Sequence, residues 1–209
     1  MEITKISTQA RNPERVNLYV DGKFYRGLDR LVAIKLGLRP GLTLNPILVG
    51  KLETTQSENS AWEWALRSLQ ISSKTVREMR VRLSRKFEPA IVDTLMQKLL
   101  AADLLNDQRF AEQLARRYGQ QGTKSKREIL LKLIQKGIDF ETAKGALVAE
   151  VSDTNSALTL AQIKNRSLPI DLSWQERYTK IASYLARKGF GYTEIRQAVT
   201  KINLDLETK

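Results

Sequence analysis

The feature that most constrains what this chain can fold into is one helical pattern written three times. Residues Thr123 to Ile138, TKSKREILLKLIQKGI, predict a helix of about four turns, with Ile129, Leu130, Leu133 and Ile134 on one side and Lys126, Arg127, Lys132 and Lys136 around the rest. Gly137, just past a last turn that carries Lys, suits the left-handed C-terminal conformation, which places Ile138 to pack back on the helix. The pattern returns at Tyr178 to Phe190, YTKIASYLARKGF, with Ile181, Tyr184 and Leu185 as the apolar side and Gly189 as the stop. A fainter copy without glycine lies at Ser73 to Phe87, SKTVREMRVRLSRKF, with Val76, Met79 and Leu83 inward. Aligning the copies on Leu83, Leu133 and Leu185 gives spacings of 50 and 52 residues. The same punctuation follows each: Phe87, Ile138 and Phe190, then Val92, Ala143 and Ile195. Such a period marks a helical array in which each unit buries its apolar side on a neighbour.

Each copy is flanked by further helical stretches, so the expected module is a short helix, a long helix and a short helix. In the first, Ala61, Trp64, Ala65 and Leu69 recur at helical spacing behind Ser60 as N-cap, and Glu88-Pro89 opens the third helix, since Pro suits a first turn. The second module begins at Asn106-Asp107, breaks at Gly119 to Gly122 and ends with a helix from Phe140 to Val151. The third runs from about Asn155 through a Leu168-Pro169 break to a last helix at Thr193 to Ile202. Ahead of the array the period changes to two: Ile3 to Gln9 alternates, and Val16, Leu18 and Val20 share a face. Asp21-Gly22 then predicts a tight hairpin pairing Lys23 to Arg26 with Arg15 to Val20. A short helix to Leu36, stopped by Gly37, and a turn at Arg39-Pro40-Gly41 complete a cap that must lean on the helices after it. The expected fold class is therefore mainly α, a tandem array of three three-helix modules with a small N-terminal β-hairpin cap. The expected boundaries are 1–55 for the cap, 56–105, 106–153 and 154–209 for the modules, with Gly50 to Ser60 as a polar link.

Composition narrows the chemistry. The 209 residues contain no Cys and no His, which excludes disulfides, thiolate metal sites, cysteine nucleophiles and the commonest general base. With 35 Lys+Arg against 23 Asp+Glu the formal charge is +12, which favours a polyanionic partner, nucleic acid or an acidic protein surface. The first residues lack the apolar run of a signal peptide, and no stretch approaches the roughly 20 apolar residues of a membrane span. A soluble, cytoplasmic protein is expected.

Three features that could carry chemistry have plainer explanations. Gly119-Gln120-Gln121-Gly122-Thr123-Lys124-Ser125 has two residues between its glycines where a phosphate loop needs four, and follows a helix where that loop needs a strand. Asp103 and Asp107, like Glu141 and Glu194, sit beside predicted helix starts, where the macrodipole favours carboxylates without catalysis. Trp62, Trp64, Trp174 and Tyr184 fall at helical spacing among aliphatic residues and read as core. No catalytic residue, metal ligand or cofactor is therefore expected.

The basic residues make the stronger pattern. Arg77, Arg82 and Arg85, with Lys74, fall opposite the apolar side of the first copy. Around the second, Arg116, Arg117, Lys124, Lys126, Arg127, Lys132 and Lys136 face a single acid, Glu128. Arg187 and Lys188, with Arg177 and Lys180, repeat the arrangement in the third. Three such faces in register would form a stripe suited to a long polyanion or a filament groove.

These residues also resemble a known family. Leu104-Leu105-Asn106-Asp107-Gln108-Arg109-Phe110-Ala111, Lys126-Arg127-Glu128-Ile129 with Leu133 and Lys136-Gly137-Ile138, and Leu185-Ala186-Arg187-Lys188-Gly189-Phe190 with Ile195 resemble, in order and spacing, the RecX regulators of the RecA recombinase. Asn12-Pro13-Glu14-Arg15 and Val20-Asp21-Gly22 match the hairpin extension of many members. Two departures stand out: Ala101-Ala102 occupies a place where Gly is common, and the first module lacks the Lys-Gly pair. The resemblance implies a non-enzymatic modulator that lies in the groove of the RecA filament; a monomer is expected. Its implied partners are RecA and single-stranded DNA, with double-stranded DNA as a further one and no membrane. The basic residues named above are its expected contacts.

Overall fold

The computed structural model describes residues 1–207 and is mainly α-helical, a small antiparallel sheet followed by three-helix modules in tandem. It divides into two compact units, Met1–Ser73 with Met79–Leu104, and Lys74–Glu78 with Leu105 to the C-terminus. The last two residues of the expected third module lie outside the described residues.

In the first unit, β1 (Ile3–Gln9), β2 (Asn12–Val20) and β3 (Lys23–Asp29) form a meander in the order β1-β2-β3. Asp21 and Gly22 both take positive φ, as a two-residue hairpin turn requires, and Val20 pairs with Lys23 across it. Val16, Leu18 and Val20 point to one side and are buried with Ile3, Leu28 and Val32, the last from α1 (Arg30–Lys35). The cluster also takes in Leu52 of α2 (Pro46–Ile71), so the sheet leans on the first long helix.

That helix corrects the expected layout. The stretch Gly50 to Ser60 is not a link but part of 26 helical residues, and the boundary expected after residue 55 falls inside them. The N-cap is Asn45, whose Oδ1 accepts from Leu48 N–H at 2.8 Å ahead of Pro46, and Ser60 is mid-helix. The polarity that suggests a link is a seam facing the cap. Gln56 Nε2 and Asn59 Nδ2 donate to Asp29 Oδ2 at 2.6 and 2.9 Å, while Asp29 N–H donates to Gln56 Oε1 at 2.9 Å.

The middle helices are also shorter than expected. α3 (Val76–Ser84) has 9 residues and α6 (Lys126–Gln135) has 10, because the Thr75 and Ser125 hydroxyls cap them and everything before these residues lies outside the helix. α4 (Pro89–Ala101) starts at Pro89 as expected. Asp103 is not at a helix start. It follows α4 with φ +51°, its N–H bonded to the Leu100 carbonyl and that of Leu104 to Leu99, the ending that Gly137 gives α6.

The second unit holds the first turn of α3, then α5 (Asp107–Gln121), α6, α7 (Phe140–Glu150), α8 (Asp153–Arg166), α9 (Trp174–Arg187) and α10 (Tyr192–Glu207). One core joins Ala111 and Ala115 of α5, Ile129 and Leu133 of α6 and Ala143, Ala146 and Leu147 of α7. A second joins Ala157 and Leu160 of α8, Ile181 and Leu185 of α9 and Ile195 and Val199 of α10. Each fully buried Leu or Ile contributes roughly 1.5–3 kcal/mol of transfer free energy. Ile138 is buried in the first core and Phe190 in the second, packed back as their glycine endings direct. The break expected at Gly119 to Gly122 falls at its far end: α5 continues to Gln121 and stops at Gly122, φ +57°, while Gly119 is helical. A Cβ at Gly119 would lie 1.9 Å from the Glu150 carbonyl oxygen, so glycine there permits the close approach of α5 and α7.

Candidate functional site

Two braces built to the same plan lie within the second unit. In the first, the Thr75 hydroxyl accepts from Glu78 N–H at 3.2 Å as the cap of α3 and donates to the Lys136 carbonyl at the end of α6 at 2.7 Å. In the second, the Ser125 hydroxyl accepts from Glu128 N–H at 3.1 Å and donates to the Lys188 carbonyl at the end of α9, also at 2.7 Å. Both hydroxyl residues are 0 % exposed, and each joins an orphan donor at one helix start to an orphan acceptor at another helix end. A carboxylate completes each brace. Asp107, the first residue of α5, accepts from Val76 N–H at 2.9 Å, and Asp153, the first of α8, accepts from Lys126 N–H at 2.7 Å.

The glycine after each receiving lysine fits this geometry twice over. Gly137 has φ +90° and Gly189 φ +87°, the left-handed region that ends a helix. A Cβ on Gly137 would also lie 2.3–3.0 Å from three carbons of Arg77, and one on Gly189 would lie 3.1 Å from Ser125 Oγ and 3.3 Å from Arg127 Cδ. The Lys-Gly pair therefore belongs to helices that receive a preceding helix start. Its absence after α3, the middle helix with no three-helix module before it, is accounted for.

The braces differ in charge. In the first, Lys136 Nζ donates to Glu78 Oε1 at 2.7 Å, and Glu78 Oε2 accepts from Thr75 N–H. Burial pushes the Glu78 carboxyl up, but the Lys136 and Thr75 hydrogen bonds, with the charges of Lys136 and Lys74, outweigh it and hold the group below its ordinary value. Burial pushes the nearby Asp107 up, helped by the charges of Asp139 and Glu78 and opposed by Val76 N–H. In the second brace the corresponding glutamate, Glu128, is taken by Lys124 at i−4. Among the described residues its buried Oε2 has no donor, and Lys188 rests over the Tyr184 ring at 5.9 Å with no carboxylate partner.

The expected contact residues separate accordingly. Arg116 bonds to Glu150 at 3.0 Å, Lys124 to Glu128 and Lys136 to Glu78, so these three are held within the fold. Arg117 is exposed over the Tyr118 ring at 5.3 Å, and Lys126 and Lys132 are half-buried along α6. Arg82 and Arg85 are exposed in the first unit, and Arg77 is exposed in the second with its stem against Gly137. Arg127, Arg187 and Lys188 come together around one open groove of about 460 Å³, with Glu128, Leu131 and Gly189. Sequence reasoning missed the buried hydroxyls. The signal is a Ser or Thr three residues before Glu78 and Glu128, repeated 50 residues apart. Among the described residues no group of three or more acidic side chains is placed to hold a metal ion, and no helix is long and apolar enough to cross a membrane.

A three-stranded cap, three-helix modules in tandem and helix ends joined by repeated hydroxyl braces define a helical repeat protein. Comparison with known proteins specifies which. The regulatory protein RecX N-terminal domain matches residues 1–45, the RecX second three-helix domain residues 106–147 and the RecX third three-helix domain residues 152–199. "Regulatory protein RecX" of Bacillus velezensis is 30% identical over 200 residues, 94% of this chain and 76% of that one. "Regulatory protein RecX" of Clostridioides difficile is 26% identical, covering 96% and 95%. The chain belongs to the RecX family of regulatory proteins. A crystal structure of regulatory protein RecX superposes with a TM-score of 0.76 at 24% identity over 94% of this chain and 98% of that one, a likeness of fold. RecX from Lactobacillus salivarius superposes with a TM-score of 0.64 at 28% identity over 72% and 99%.

Proposed function

We propose that this chain is a cytoplasmic, monomeric, non-enzymatic modulator of the RecA recombinase, acting in homologous recombination and DNA repair. It binds the groove of the RecA filament on single-stranded DNA and lowers ATPase and strand-exchange activity by binding one filament state better than another. What carries this reading is family membership over nearly the whole chain, with relatives named as regulatory proteins. The net charge of +12, and cations such as Arg127, Arg187 and Lys188 with no carboxylate partner among the described residues, support a polyanion inside the groove. The second reading, a basic DNA-binding protein without a specific protein partner, rests on the same charge alone.

The test is the single-stranded-DNA-dependent ATPase of the cognate RecA, titrated with the wild-type chain and with a variant carrying Lys126→Glu, Arg127→Glu, Arg187→Glu and Lys188→Glu. A change in rate well below one copy per RecA, lost in the folded variant, is expected. A change only at levels that coat the DNA would overturn the regulator in favour of plain DNA binding.

A further inference from the structure

The two braces share a frame but not a charge state, and this selects one groove among the basic surfaces. At the first brace the cation at the end of the receiving helix, Lys136, is neutralised by Glu78 at 2.7 Å, and Gln135 stands before it. At the second, the position of Gln135 is taken by Arg187, Lys188 has no carboxylate partner among the described residues, and Lys124 pairs with Glu128. Arg127 closes the other side, so three cations without an ion-pair partner among the described residues line an open groove of about 460 Å³ whose one acid already has its own lysine. Three cations against one acid that already holds a lysine leave the groove with an excess of positive charge, and an anion seated among them relieves their repulsion. Gly189 contributes no side chain to the floor, and Leu131 supplies an apolar edge.

We infer that the groove between the start of α6 and the end of α9 is a phosphate site for a single-stranded nucleic-acid backbone, and that its counterpart at the first brace is not. Resting on the nucleic-acid part of the proposed function, this names the contact point and gives the braces unequal roles. The geometry fits a phosphodiester because Arg127 and Arg187 can each present a fork of donors while Lys188 adds a point charge. At the first brace Lys136 is occupied by Glu78 and Gln135 stands in the place of Arg187, so of the three cations only Arg127 keeps an equivalent there, Arg77.

The experiment is fluorescence-anisotropy binding of an oligothymidylate to the full chain over a series of salt concentrations. Arg127→Gln/Arg187→Gln/Lys188→Gln is compared with the matched Arg77→Gln/Lys136→Gln, both checked for native thermal unfolding. The triple variant should bind at least tenfold more weakly with a salt slope shallower by about 2, roughly 0.7 per lost contact on a single strand, and the matched variant should change far less. Glu128→Gln, which removes the one acid, should tighten binding several-fold, a gain that misfolding cannot mimic. Equal losses in the two variants, or no gain in Glu128→Gln, would overturn the groove while leaving nucleic-acid binding in place. A wild-type chain that ignores the oligonucleotide yet changes recombinase ATPase below one copy per protomer would overturn it too and assign the cations to an acidic protein face. A chain that does neither would sink the proposed function along with the groove.

Discussion

The brace between α3 and α6 and the brace between α6 and α9 are the same device with different wiring. Each uses a buried hydroxyl, a lysine carbonyl, an aspartate and a left-handed glycine, and the hydroxyl-to-carbonyl distance is 2.7 Å in both. The side chains of the receiving lysines then part: Lys136 pairs with Glu78, whereas Lys188 lies over Tyr184 and its would-be partner Glu128 is held by Lys124. The comparison teaches that the frame is set by backbone geometry and buried polar groups, whose loss costs whole kilocalories. The exposed charges can vary around it at little cost to folding.

The largest effect should come from filling the glycine positions. Gly137→Ala must carry a left-handed φ and also displace Arg77, including its Cβ, so a loss of about 3 kcal/mol is expected. Gly189→Ala meets Ser125 and Arg127 at 3.1 Å or more and should lose about 1–2 kcal/mol. Urea unfolding measures both, and a larger loss at Gly189 would break the comparison at its frame. Next come the hydroxyls. Thr75→Ala and Ser125→Ala each remove a cap and strand a lysine carbonyl, so losses of about 1–3 kcal/mol, similar at the two sites, are expected. A loss at only one site would mean that the braces are not equivalent.

Acid titration sharpens the electrostatic half. Glu78 is held below its ordinary value, so its stabilisation is fully present above the ordinary carboxylate pKa and drains away as pH falls through the lowered folded one. Asp107 is raised, so its contribution has the opposite sign: present below the unfolded pKa and lost as pH rises through the folded value. Glu78→Gln should therefore flatten the loss of stability on acidification at a cost of roughly 0.5–1 kcal/mol at neutral pH for a partly exposed pair. Asp107→Asn keeps an acceptor for Val76 N–H and should steepen the same acid loss. Unfolding free energies measured from neutral to acid pH check both signs, and changes in slope of the same sign, relative to wild type, in the two variants would contradict them. The smallest effect belongs to Lys188→Gln, which has no ion pair to lose among the described residues and should leave stability unchanged within about 0.5 kcal/mol.

Much of the frame was legible in the sequence because its signals are local. Asp21-Gly22 specified the hairpin, Glu88-Pro89 the start of α4, and the Lys-Gly pairs the ends of α6 and α9 with Ile138 and Phe190 packed behind them. The N-terminal half of α2 was not legible. Its Gln56 and Asn59 look like linker residues until Asp29, 27 and 30 residues away, is brought beside them. The braces were hidden for the same reason, since Thr75 and Lys136 are 61 residues apart and Ser125 and Lys188 are 63. Among the expected contacts, helical spacing identified exposed basic positions such as Arg127 and Arg187 but gave no sign that Arg116, Lys124 and Lys136 are paired within the fold. Whether a lysine has a carboxylate partner depends on rotamers and neighbours that periodicity does not contain.

The most direct test of the unequal braces is a pair of double-mutant cycles in unfolding free energy at low salt, Glu78→Gln with Lys136→Gln and Glu128→Gln with Lys188→Gln. A coupling of roughly 0.5–1 kcal/mol in the first cycle and none in the second is expected. Equal couplings would contradict the account, because Lys188 would then be a structural partner of Glu128 and not a charge left open at the groove.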